Sequence, residues 1–263
     1  MIPALSFVFM AVSILLSVGL PVVLTIWVMK KYKPGFWAVT SGIIVFVVLQ
    51  VLIRMTILQV FALSDVGKAF IESNTLLYIV ILALSAGIVE EFGRYFAFKV
   101  MLKNRHGYGH GLAYGIGHGG IEAIVLIGLA YMTNIIVGII SNSGMLPALG
   151  AFGKSVAPAI NLIVNTPTSH FLLGGIERVL AICFHIALSI LVLYGVRKRN
   201  IAYTLLAVLV HALVNFGSAI VMQELGATTS EVFLFIVAAA SVVFIVLMKR
   251  VFEKQDASLQ QSV

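Results

Sequence analysis

The length of the apolar runs constrains this chain more than any other feature. A helix crosses the hydrocarbon core of a bilayer in about 20 apolar residues. Seven runs of that order follow one another, at 2–29, 36–63, 75–101, 110–140, 171–196, 201–223 and 232–250. Of the 263 residues, 61% are hydrophobic and 10% charged, against roughly half and a quarter in a soluble domain. No polar stretch is long enough to fold separately. The chain reads as an all-α, multi-pass membrane protein, one bundle of seven transmembrane helices over 1–252. A polar cytoplasmic tail at 253–263 is expected to be disordered. The first 29 residues carry no charge and lack the basic start of a secretory signal, so they count as a true span.

Charge sets the orientation. Lys30, Lys31 and Lys33 follow the first run; Lys99, Lys103 and Arg105 end the third; Arg197, Lys198 and Arg199 follow the fifth; Lys249, Arg250 and Lys254 follow the seventh. The connections 64–74, 141–170 and 224–231 are poor in Lys and Arg. The positive-inside rule then puts the N-terminus outside and the C-terminus in the cytoplasm. It also accounts for the net charge of +7 without a nucleic-acid partner. Prolines and asparagines in 141–170 argue against a continued helix, and an outer loop with a short interfacial helix is expected there. The single cysteine, Cys183, excludes a disulfide framework and reads as a packing residue.

The third and fourth runs carry Glu90, Glu91, Arg94, His118 and Glu122. Each ionisable group at the bilayer centre costs about 2.5–3.5 kcal/mol even on lenient insertion scales, so a cluster of five implies use. His185 and His211 lie in the fifth and sixth runs. Counted from the cytoplasmic ends at 1.5 Å per residue, Glu90, Glu91, His118, His185 and His211 all fall roughly 12–17 Å deep. Residues four apart share a helix face, which pairs Glu90 with Arg94, His118 with Glu122, His211 with Asn215 and His185 with Ser189. Gly111, Gly115 and Gly119 form a small-residue ridge that admits a neighbouring backbone, and Gly87 offers the same. The third and fourth helices are expected to pack tightly.

These residue types support three chemistries. In the first, Glu90 or Glu91 takes a proton from water, Arg94 holds a carboxylate in place, and His118, His211 and Asn215 serve the oxyanion and the leaving group. In the second, His118, His185 and His211 with Glu90 or Glu91 bind a divalent metal such as zinc and leave a position for water. The helical H-E-x-x-H signature is absent, which tips the balance slightly toward no cofactor. In the third, the Glu/His chain couples protons or ions to transport; no inverted repeat supports that. Structural readings compete at several positions. Glu177 and Arg178 suit a local pair or snorkelling, and Arg54 a structural role. His106 and His110 suit a solvated interface. His185, with only Ser189 as partner, suits an interhelical hydrogen bond.

Taken in order, Glu90-Glu91-x-x-Arg94, Tyr114-x-x-x-His118 and His211-x-x-x-Asn215 resemble the motifs of the CPBP intramembrane proteases, which include the CAAX prenyl endopeptidases. Gly115-x-x-His118-Gly119-Gly120-x-Glu122 and Glu177-Arg178-x-x-Ala181-x-x-x-His185 are similar to the YhfC-type membrane peptidases, over nearly the whole chain. The resemblance implies an intramembrane endopeptidase, glutamic or metal-dependent, acting on a membrane-embedded protein or peptide in a prokaryotic plasma membrane. It implies Glu90 as water-activating base, Glu91 as supporting carboxylate, His118 as the histidine sharing the water, and His211 with Asn215 on the oxyanion side. Arg94 stands one residue closer to the Glu pair than in the CAAX enzymes. Glu122 and His185 have no counterpart in the three-motif scheme and are assigned supporting roles. The same broad superfamily resembles the scaffold subunit of gamma-secretase, so a non-catalytic scaffold is the alternative function.

Overall fold

In the computed structural model, which describes residues 1–261, the seven runs form seven helices long and apolar enough to cross a membrane. Two shorter helices lie between them. In chain order they are α1 (Ala4–Tyr32), α2 (Phe36–Leu63), α3 (Asp65–Ser73), α4 (Thr75–Met101), α5 (Tyr108–Asn142), α6 (Gly150–Asn165), α7 (Thr168–Arg197), α8 (Ala202–Leu225) and α9 (Ala227–Gln261). No strand occurs among the described residues. Leucine, isoleucine, valine and phenylalanine side chains stand exposed along the spans, among them Leu52, Val60, Leu84, Leu209 and Val243. In water such a surface would be unstable; toward lipid it is required.

The turns follow from local chemistry. Between α1 and α2 the chain reverses through Lys33 and Gly35, at φ 47° and 82°, around Pro34. Ser64 caps α3 by accepting a hydrogen bond from the Gly67 amide. The 141–170 connection holds α6, matching the expected short helix, with Pro158 inside it. The 224–231 connection, expected as a loop, is instead the single residue Gly226. Its φ of 83° reverses the chain directly from α8 into α9.

The expected disordered tail is also corrected. α9 runs on to Gln261, while 262–263 lie outside the described residues. Phe252, just before the tail, is fully buried, and within the tail Asp256 Oδ1 meets Arg197 Nη2 at the end of α7 at 2.6 Å. At the same end Arg197 donates to the His106 carbonyl, Trp37 Nε1 donates to the Met101 carbonyl, and Arg105 approaches Gly35. The four basic connections therefore gather at one end of the bundle.

α7 is the central post, packed against α1, α5, α8 and α9. The glycine ridge of α5 lies on it: a Cβ on Gly115 would sit 2.6 Å from Ile186 Cα, and one on Gly119 would sit 3.2 Å from Ile182 Cα. On the other face of α5, Gly117 lies against the Val39 backbone of α2. Gly87 of α4 faces the Val208 carbonyl of α8, where a Cβ would stand 2.7 Å away. α4 and α5 were expected to pack tightly. They do not: α4 packs on α2 and α8, while α5 is held between α2 and α7. The glycines explain this, because their close approaches are to other helices and leave α4 and α5 to meet through side chains.

Candidate active site

Glu90, Glu91 and Arg94 are buried on α4. Successive helix residues point about 100° apart, so the two carboxylates face different neighbours. Glu91 lies between Arg94 and α8. Arg94 Nη1 is 2.7 Å from its Oε1 and 2.6 Å from its Oε2, and His211 Nδ1 is 2.8 Å from Oε1. Arg94 therefore pairs with Glu91, three residues away, and not with Glu90 as the four-residue spacing suggested. Its other terminal nitrogen, Nη2, reaches across to His185 Nδ1 at 3.2 Å.

Glu90 faces α5, and its Oε2 is the focus of three imidazoles. His118 Nε2 lies 2.9 Å away, and His185 Nδ1 and His211 Nε2 each lie 3.9 Å away. The ring of His118 is set edge-on to Phe46, with centroids 5.3 Å apart, and lies 6.0 Å from the Tyr114 ring one turn earlier. Ring centroids of His118 and His185 are 5.0 Å apart, and those of His185 and His211 are 5.4 Å apart. All four site-bearing helices thus converge in one layer, as the depth count required.

Glu122 completes the cluster from α5. Its Oε2 lies 2.7 Å from His185 Nε2, and its Oε1 accepts from Arg178 Nη1 at 2.9 Å. Arg178 also pairs with Glu177, so the local pair expected there is present and is joined to the site through Glu122. The sequence held a signal for this link: Arg178 precedes His185 by seven residues, two turns on one face of α7. Ser189, the expected partner of His185, instead bonds the His185 carbonyl at 2.6 Å, which frees the imidazole for the cluster. His106 and His110 are half-buried rather than solvated, and His106 Nε2 lies 2.8 Å from the Phe98 carbonyl.

Glu90, His118, Glu122 and His185 each offer one ligand atom, all within 4.8 Å of one another. Two nitrogens and two carboxylate oxygens form a donor set for zinc or a similar divalent ion. Two of the surrounding polar atoms, His118 Nδ1 and Glu122 Oε2, are buried without a hydrogen-bond partner. Glu122 Oε2 does stand 2.7 Å from His185 Nε2 as an ion-pair contact, whereas His118 Nδ1 is left free to meet a ligand. This set includes Glu122 and leaves out His211, which the sequence had offered as a possible ligand. His211 is tied instead to Glu91.

The cluster opens into a cavity of about 520 Å³ between α2, α4, α7, α8 and α9. Glu90, Glu122, His185, His211 and Asn215 line it together with Arg54, Gln50 and Tyr78. Asn215 is one turn beyond His211 and shares this space, as the four-residue spacing implied. π-helical turns at Phe46–Met55, Ala97–Met101 and Ile124–Gly128 flank the site on α2, α4 and α5. Such turns recur at functional sites because they re-aim side chains without breaking the helix.

The sequence profile of a family described as "YhfC intramembrane metalloprotease" matches residues 12–239. The chain is 34% identical over 252 residues to "Uncharacterized membrane protein YhfC" of Bacillus subtilis (strain 168), covering 94% of this chain and 97% of that protein. No solved structure matches significantly.

Proposed function

Because the chain belongs to the YhfC family, we propose that the cluster around Glu90 is the active site of a metal-dependent intramembrane endopeptidase. The observation that carries the reading is the convergence of three imidazoles on Glu90 Oε2, with Glu122 alongside, at the head of a cavity inside the bundle. His118, His185 and Glu122 hold a divalent ion, zinc by the chemistry of the donors. When bound, such an ion supplies Lewis acidity toward a peptide carbonyl and toward water. This reverses the slight sequence-based preference for a metal-free site, and it rests on the family description and the donor geometry together.

The remaining work falls to side chains. Glu90 takes a proton from water at Oε2 and is kept in place by His118. Glu91 is neutralised by Arg94 and orients His211 through Nδ1, leaving His211 Nε2 to face the reacting group. From that position, 3.9 Å from Glu90 Oε2, His211 Nε2 receives the proton that Glu90 took from water and passes it to the leaving amine. Asn215, one turn along α8, donates to the developing oxyanion. These assignments carry over residue by residue from the CPBP-like motifs. The substrate is a membrane-embedded protein or peptide. The basic end of the bundle is cytoplasmic by the positive-inside rule, so the N-terminus lies outside and cleavage falls on the cytoplasmic side of the midplane. The membrane is a prokaryotic plasma membrane.

The test compares peptide termini in membranes of cells lacking the protein, re-expressing it, or re-expressing Glu90→Gln at matched levels. New termini inside a transmembrane segment, present only with the wild-type chain, are expected. Identical termini with the wild type and the variant, while both rescue a phenotype, would replace the protease reading with a scaffold.

A further inference from the structure

Three arginines line or border the cavity, and two are neutralised. Arg94 is paired with Glu91, and Arg178 with Glu122 and Glu177. Arg54 is different. Its Nε donates to Ser85 Oγ at 3.0 Å and its Nη2 to the Leu82 carbonyl at 2.5 Å, both on α4. Among the described residues no carboxylate lies within ion-pair distance of it, and its Nη1 has no hydrogen-bond partner. The guanidinium is half-buried and lines the same cavity as Glu90.

Its depth makes this arrangement meaningful. Arg54 stands nine residues from the end of α2 at Leu63, and Ser85 stands ten residues after Thr75. At 1.5 Å per residue both are roughly 14–15 Å inside their helix ends, within the hydrocarbon span. A cation held there with only Glu90 acting on it across the cavity, and no carboxylate in an ion pair, is disfavoured and marks a ligand path. Tethering through Nε and Nη2 also fixes the fork, so little freedom is lost when an anion arrives.

We infer that Arg54 binds a carboxylate of the peptide substrate, about two residues from the scissile bond. The inference deepens the protease reading and rests on it for the word substrate. Spacing comes from α4: Ser85, which anchors Arg54, precedes Glu90 by five residues, or about 7.5 Å along the axis. An extended peptide covers that in about two residues at 3.3–3.6 Å each. A lipid phosphate is the wrong source, because headgroups lie at the edges of a hydrocarbon core about 30 Å thick. A carboxylate drawn in on a peptide reaches the site. It comes either from the chain's C-terminus or from an Asp or Glu side chain.

The test is a binding measurement. The full-length protein, reconstituted in nanodiscs of neutral phosphatidylcholine, is titrated by fluorescence anisotropy with an N-methylated, uncleavable apolar tetrapeptide. Three forms are compared: a free C-terminal acid, its amide, and the amide bearing one internal Asp. One acidic form is expected to bind at least about tenfold more tightly than the neutral amide, the value of one charge-assisted hydrogen bond. Which acid is preferred identifies the source of the carboxylate. Arg54→Gln abolishes the difference and Arg54→Lys keeps part of it. Equal binding of all three forms by the wild type, which needs no variant to fold, overturns the inference. So does an acid preference that survives Arg54→Gln. If acid preference holds while wild-type membranes yield no new termini, the carboxylate site stands and the protease reading falls.

Discussion

Glu91→Gln is the sharpest perturbation of this site. Glu91 and Arg94 side chains are both 0% exposed, so solvent screening gives no relief when the pair is broken. Arg94 Nη1 gives both of its contacts to the two Glu91 oxygens, and His211 Nδ1 takes its position from the same carboxylate. Removing the negative charge leaves the guanidinium buried and uncompensated, which costs about 3–5 kcal/mol when one partner of a buried pair is lost. Graded unfolding in sodium dodecyl sulfate, followed by tryptophan fluorescence, measures that loss directly. The double variant Glu91→Gln/Arg94→Gln removes both charges and is expected to recover most of the stability. It does not recover hydrolysis, because His211 remains unoriented. Stability and activity thus separate in one pair of variants. A single-variant loss below about 1 kcal/mol, the scale of an exposed pair, would refute the argument. So would a double variant whose cost is the sum of the two single costs, since that is the behaviour of independent sites.

Metal content distinguishes the two carboxylates at the other side of the cluster. Glu122→Gln is expected to lose bound zinc, and Glu90→Gln to retain it while losing cleavage, both read by elemental analysis of purified protein; the reverse pattern would exchange their roles. Gly117→Ala places a Cβ against the Val39 carbonyl, with Val39 Cα 3.1 Å away, and backbone does not yield, so a loss of about 1–3 kcal/mol is expected in thermal unfolding. Gly19→Ala has open space within 4 Å and is expected to stabilise α1 by up to about 1 kcal/mol in the same assay. Asp256→Ala removes a half-exposed partner of Arg197 and should change stability by no more than about 1 kcal/mol, with cleavage unaffected.

The seven helices were legible because burial in lipid forces an uninterrupted apolar run for each crossing, and that constraint is written residue by residue. The polar layer was legible for the same reason: charges in such runs are rare enough to be counted. Helix neighbours were not. The ridge at Gly111, Gly115 and Gly119 announces a close contact without naming the partner, and the partner is α7 rather than α4. Pairings within the site were half legible. Four-residue spacing aligned His118 with Glu122 and His211 with Asn215. It misassigned Arg94, because an arginine side chain is long enough to serve either of two adjacent carboxylates, and His211 had already fixed Glu91. The tail of α9 was read as disorder from its polarity alone. Asp256 and Phe252 find their partners on another helix, at a distance in sequence that no local pattern records.

Since α4 and α5 meet through Glu90 and His118 rather than through packed backbones, the join between them behaves like a latch and not like a weld. Ordinary helix pairs in lipid are secured by many small contacts, each dispensable. Here α2 and α7 hold the bundle together by packing, and Glu90 Oε2 joins α4 directly to α5 through His118. Whatever binds at that atom therefore meets side chains of both helices at once, on a frame that packing elsewhere keeps in place.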